Sequence, residues 1–127
     1  MQPDETRFDR GLERMRAIFG PGIDSAWQDL AAASPDLSRY LAEFPFGDIY
    51  TRPGLELKTR EMLTVAALTV LGFPQSELRD HIRGALHVGC TPAEITEIII
   101  QMAVYAGFPA ALEAIKTAAS VFSEKSK

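Results

Sequence analysis

Glycine and proline divide this chain into stretches of helical length, and no other feature of the sequence restricts its fold as strongly. Breaks fall at Gly20-Pro21-Gly22, at Ser34-Pro35, at Gly72 and Pro74, between Gly89 and Pro92, and at Gly107 and Pro109. Proline fixes φ and cannot donate within a helix, and glycine adopts the left-handed turns that end helices. Between the breaks, apolar residues recur at spacings of three and four. No segment alternates with period two for long enough to form a strand. The expectation is an all-α fold, a single-domain bundle of six to seven helices.

The spacing predicts a first helix over residues 4–19, with Phe8, Leu12, Met15 and Phe19 on one face. A short helix over 24–33 follows. A third is capped by Ser34 with Pro35 in its first turn. It presents Leu37, Tyr40, Leu41 and Phe44, and Pro45 is expected to close it. Residues 46–55 read as an aromatic-rich loop. The helix over 56–71 is apolar on all sides after Glu61, which predicts a place at the centre of the core. Another helix covers 74–88. Thr91-Pro92-Ala93-Glu94 is a capping box. Behind it Ile95, Ile98, Ile99, Met102 and Ala103 share one face, while Ile100 and Val104 point elsewhere. Apolar residues on two faces fit either a second subunit or a helix enclosed by its own domain, and both remain open. A last helix carries Leu112, Ile115, Ala119 and Phe122. The organisation expected is N-terminal helices over 1–33, a core over 34–122 and a polar tail over 123–127. A chain of 127 residues can bury such a core without disulfides or a structural metal.

Charge and cysteine content remove several function classes. The net charge is −4, whereas nucleic-acid binding needs a basic face. One cysteine, Cys90, allows no intrachain disulfide, no Cys-x-x-Cys redox centre and no cysteine-rich zinc site. The longest nearly apolar run, 62–71, is too short to span a bilayer. The first residues lack a charged-then-apolar signal pattern. A cytoplasmic chain without membrane or nucleic-acid partners is expected.

Two histidines lie on the 74–88 segment. With Leu78 at the centre of its apolar stripe, His81 falls about 60° to one side and His87 about 180° away, at 100° per residue. His81 is therefore the candidate for a pocket, although a hydrogen-bonded histidine at the core edge would occupy the same position. Glu77, at i,i+4, can touch it and set its tautomer and charge. Arg52 and Arg60 flank the aromatic loop and the start of the next helix, where they could grip carboxylates or lie in solvent. Cys90 reads as a small apolar filler. There is no glycine-rich phosphate loop, Gly-x-Ser-x-Gly or His-Glu-x-x-His. The residues alone give a helical domain with one candidate histidine pocket, and function does not follow from that.

Several strings add information. Arg52-Pro53-Gly54-Leu55 with Thr59-Arg60 resembles the loop and helix start of the gamma-carboxymuconolactone decarboxylases. So do Ala67-Leu68 through Leu71-Gly72, and Glu77-Leu78-Arg79-x-His81. Gly89, Thr91, Glu94 and Glu97 are similar too, as is Tyr105-Ala106-Gly107-x-Pro109-Ala110. Phe46-Gly47-Asp48-Ile49-Tyr50 and the opening Arg7 through Glu13 extend the resemblance over nearly the whole chain. The wider family includes alkylhydroperoxidase D, with its CxxCxxxH motif. This sequence keeps the histidine at His81 but has Phe73, Pro74, Ser76 and Glu77 where the cysteines would fall, so disulfide peroxidase chemistry is not carried over. Glu61 stands where that branch keeps a glutamate, and its role here is open.

The resemblance implies an alkylhydroperoxidase D-like helical subunit assembled as a hexamer, a trimer of dimers, or as a smaller ring of dimers. It implies decarboxylation of an anionic lactone, 4-carboxymuconolactone, to 3-oxoadipate enol-lactone in protocatechuate breakdown, without a cofactor. His81 and Glu77 would then be catalytic. Arg52, Arg60, Tyr105, Phe46 and Tyr50 would bind substrate, with Tyr105 or a water as the fallback proton source. Two other readings stand beside it. One is a relative acting on another small carbonyl compound or hydroperoxide. The other is a non-catalytic helical oligomer with a binding role.

Overall fold

The computed structural model describes residues 6–124. The expected helical start at residues 4 and 5 and the tail at 125–127 lie outside them. Among the described residues there are seven α-helices, one π-helical segment and no strand, so the chain is all-α. It divides into two compact units, one ending at Leu57 and one starting at Lys58.

The first unit holds α1 (Arg7–Phe19), α2 (Ile23–Ala33), α3 (Pro35–Leu41) and a π-helix (Ala42–Ile49). Thr6 starts α1 with a capping box, its hydroxyl accepting from the Asp9 amide at 3.1 Å. Helix α1 packs against the π-helix with backbone nearly touching backbone. A Cβ on Gly11 would overlap the Ala42 carbonyl, and one on Gly47 would press on the Arg7 carbonyl. The glycine in mid-helix, normally a cost, is what admits this approach. Arg7 then clamps the pair, donating to both oxygens of Asp48 at 3.1 and 2.6 Å.

Pro45 does not end the helical course as the sequence predicts. It has no N–H to give, and the winding widens so that the Tyr50 amide bonds the Pro45 carbonyl five residues back at 2.8 Å. The predicted face of α3 is also displaced. Ser38, Ala42 and Phe46 are buried, while Leu37, Tyr40 and Phe44 are exposed. The close approach to α1 leaves space only for a small side chain at Ala42, and Ser38 satisfies its hydroxyl locally on the Pro35 carbonyl. Large residues one step round the helix are turned outward.

The second unit holds α4 (Leu57–Leu71) from its second residue on, α5 (Gln75–His87), α6 (Pro92–Ala106) and α7 (Phe108–Phe122). Gly72 and Gly107 make the turns after α4 and α6 at φ of 81° and 91°, a region open to glycine. The capping box at Thr91 and Glu94 forms as the sequence predicts. Val65, Leu78, Ile82, Ala85, Ile95, Ile99, Ala114 and Ala118 form the core. Two expectations are corrected here. Helix α4 is not enclosed on all sides within this chain, for it buries Glu61, Val65 and Thr69 and exposes Leu63, Val70 and Leu71. Helix α7 buries Ala111, Ala114, Thr117, Ala118 and Val121 most deeply; of the predicted face Ile115 and Phe122 pack partly buried against the core, while Leu112 and Ala119 are exposed. Alanines and a threonine let α7 approach α5 and α6 closely, so its leucine is left at the rim. No helix among the described residues is long and apolar enough to cross a membrane.

Candidate active site

The inward stripe of α4 runs Glu61, Val65, Thr69, spaced by four, and it carries a carboxylate into the interior at its N-terminal end. The stripe of α5 runs Leu78, Ile82, Ala85, with His81 at its edge. The two helices face each other so that Glu61 and His81 meet. His81 Nδ1 lies 2.9 Å from Oε1 and 3.1 Å from Oε2 of Glu61. Glu61 is fully buried, and 12 % of the His81 side chain remains exposed. A buried carboxylate is tolerated only with hydrogen-bond donors or an opposite charge beside it, and the imidazole supplies both when protonated. The pairing places the Nδ1 proton between ring and carboxylate. Proton traffic with a substrate then falls to Nε2.

Glu77 sits on the other side of the ring. Its Oε2 is 4.0 Å from His81 Nε2 and its side chain is 64 % exposed, so it faces solvent and is at the limit of ion-pair contact. His87 is exposed at the end of α5, as the helical phase predicts. Arg60 precedes Glu61 in α4 and is half-buried, and its carbonyl accepts from the Thr64 hydroxyl at 2.9 Å. Tyr105 projects from α6, exposed. Among the residues singled out from sequence, Glu77 and His81 are thus brought together. Arg60 adjoins them along the chain through Glu61, and Tyr105 stands on a separate helix of the same unit.

Phe46, Tyr50 and Arg52 belong to the first unit. Phe46 is buried, edge-on to Phe19 at 6.0 Å and tilted against Tyr50 at 5.1 Å between ring centroids, which is core packing. Arg52 is exposed in the turn after the π-helix, its amide bonded to the Ile49 carbonyl at 3.1 Å. Cys90 is buried, and burial pushes its thiol above the ordinary value. A thiol of that kind stays protonated at neutral pH and is a poor nucleophile.

Glu61 is the partner that spacing along one helix could not supply. It lies twenty residues from His81, beyond any i,i+4 rule. The signal present in the sequence is a carboxylate spaced by four from Val65 on an otherwise apolar face.

Known proteins place this geometry in context. The model of the carboxymuconolactone decarboxylase family matches residues 35–120. The chain is 34 % identical over 122 residues to a 4-carboxymuconolactone decarboxylase of Acinetobacter baylyi, covering 95 % of this chain and 90 % of the relative. It is 38 % identical over 119 residues to an uncharacterized 15.0 kDa protein of Paracoccus denitrificans, covering 91 % and 87 %. It is 31 % identical over 109 residues to a nitrosuccinic acid decarboxylase of Metarhizium robertsii, covering 85 % and 76 %.

Proposed function

Because the chain belongs to the carboxymuconolactone decarboxylase family, we propose that it is a carboxy-lyase that removes carbon dioxide from 4-carboxymuconolactone, giving 3-oxoadipate enol-lactone. The observation that carries this reading is the buried Glu61 holding Nδ1 of His81. The chemistry needs little more than such a pair. In this lactone the departing carboxylate sits on the carbon γ to the ring carbonyl, across a double bond. When its C–C bond breaks, the electron pair moves through that double bond into the carbonyl oxygen. The substrate is its own electron sink, so the protein has to hold anions and deliver one proton.

In this reading His81 Nε2 gives the proton to the ring carbon next to the carbonyl as the dienolate collapses. Glu61 keeps the ring oriented, and Glu77 returns a proton to it from the solvent side. Arg60, one residue before Glu61, supplies a forked cation for a carboxylate. The active form is a homo-oligomer, a proposal supported by the apolar residues left exposed on α6 and α7.

A second reading keeps the reaction and changes the acid. It is favoured by the relative named for nitrosuccinic acid, which is 31 % identical. Measuring carbon dioxide release from 4-carboxymuconolactone and from nitrosuccinic acid side by side tests both. Turnover of the lactone is expected. Turnover of nitrosuccinic acid alone would install the second reading, and release from neither would reject both.

A further inference from the structure

We propose that the Glu61–His81 pair also runs in reverse on the decarboxylated product, so that the protein exchanges with solvent one hydrogen α to the carbonyl of a β,γ-unsaturated γ-lactone. This is a carbon-acid activity in which no carboxylate leaves. It rests on the proposed reaction for its substrate class, and on the geometry of the pair for its mechanism.

The dienolate left by carbon dioxide becomes product when a C–H bond forms beside the carbonyl. The same dienolate is reached from product when that C–H bond breaks, so the group that gives the proton is also placed to take it. The structure suits both directions. Glu61 approaches Nδ1 with both oxygens, at 2.9 and 3.1 Å, from a fully buried position. The ring is therefore held in one orientation whether it is about to give a proton at Nε2 or about to accept one. Exchange has a second requirement, which protonation alone does not. The proton taken from carbon must be replaced by one from water while the lactone is bound. Glu77 meets this requirement, with its carboxylate 4.0 Å from Nε2 and most of its surface in solvent.

The step balances without a co-reactant. The α C–H bond breaks and its proton goes to His81 Nε2. The electron pair enters the adjacent carbonyl, and the β,γ double bond spreads the charge to the carbon that the carboxylate once occupied. The Nε2 proton is replaced from solvent by way of Glu77. The electron pair then returns to form a new bond from carbon to the solvent-derived hydrogen. Because the imidazole stands on one side of the ring, one of the two α hydrogens exchanges.

The test uses the protein as it stands, in heavy water, with 3-oxoadipate enol-lactone as the probe and proton NMR of the α-methylene as the readout. Carbon dioxide release from 4-carboxymuconolactone is followed in parallel. General-base catalysis predicts exchange about 10²–10⁴-fold faster than buffer, with one deuterium per lactone, falling to the buffer rate in His81→Gln. Circular dichroism checks that this variant is folded, and His81→Asn serves in its place if it is not. Normal carbon dioxide release with no exchange above buffer would overturn the proposal and leave the decarboxylase reading standing. Exchange without release from 4-carboxymuconolactone would uphold the proposal and remove that substrate. Exchange undiminished in the folded histidine variants would take the activity away from this pair and so overturn it.

Discussion

Replacing Glu61 by glutamine keeps the shape of the side chain behind His81 and removes its charge. The amide can offer either an oxygen or an NH₂ to Nδ1, so the imidazole is no longer bound to one tautomer. A carboxylate-to-amide change behind a catalytic histidine costs up to about 10⁴-fold in kcat where it has been measured in other enzymes. Glu61→Gln is expected to lower kcat by about 10²–10⁴-fold and to leave KM close to the parent. A folded Glu61→Gln protein with kcat within threefold of the parent would show that Glu61 has no part in the reaction. Cys90 makes the opposite expectation. Its thiol is raised by burial, with Glu94 adding to the effect. Cys90→Ser should therefore keep full activity, and the native thiol should alkylate slowly. A hundredfold loss of turnover in a folded variant would put Cys90 in the site. At this scale the sequence is half legible. Helical phase separates His81 from His87, because it needs one helix and one angle. It can name only Glu77 as a partner, since the helix that brings Glu61 to His81 is a tertiary neighbour.

The elements follow the breaks of glycine and proline closely, and what the sequence hides is their rotation. In α3 and α7 periodicity assigns the largest apolar residues to the buried face. Ser38 in α3 and Ala42 just after it are buried while Leu37 and Tyr40 are exposed, and Ala111, Ala114 and Ala118 lie deeper than Ile115 and Phe122. Periodicity reads hydrophobicity, but where two backbones come close the deciding quantity is size, and the small residues face inward. Pro45 misleads for a related reason, since a widened helix absorbs the missing donor that ends an ordinary one. Gly11 tests this packing. Alanine favours a helix interior by about 1 kcal/mol over glycine. Here its methyl would meet the Ala42 carbonyl, and backbone cannot swing aside as a side chain can. Overpacking of this kind costs about 1–3 kcal/mol, so the steric effect is expected to win. Gly11→Ala should lower the melting temperature, and a raised one would show that α1 and the π-helix can part at no cost.

At the scale of the molecule, α6 and α7 leave an apolar groove of about 480 Å³ on the second unit. Val104 and Phe108 on its rim are 77 % and 74 % exposed. The proposed homo-oligomer would cover this surface, and the two-faced pattern of α6 fits that reading as well as a helix enclosed by its own domain. Within the chain Ile100 and Val104 stay uncovered, which favours the interface. Light scattering should give a multiple of the 13.9 kDa chain, and Val104→Glu should shift it to smaller species. A stable monomer at micromolar concentration would contradict this.

The central claim is that His81, held by Glu61, delivers the proton of a decarboxylation. It is tested most directly by carbon dioxide release from 4-carboxymuconolactone with the parent protein and with His81→Gln under identical conditions. Loss of a positioned acid is expected to lower kcat by about 10²–10⁴-fold in a variant whose fold and assembly match the parent. A His81→Gln protein turning over within threefold of the parent would contradict the account and pass the proton to another group.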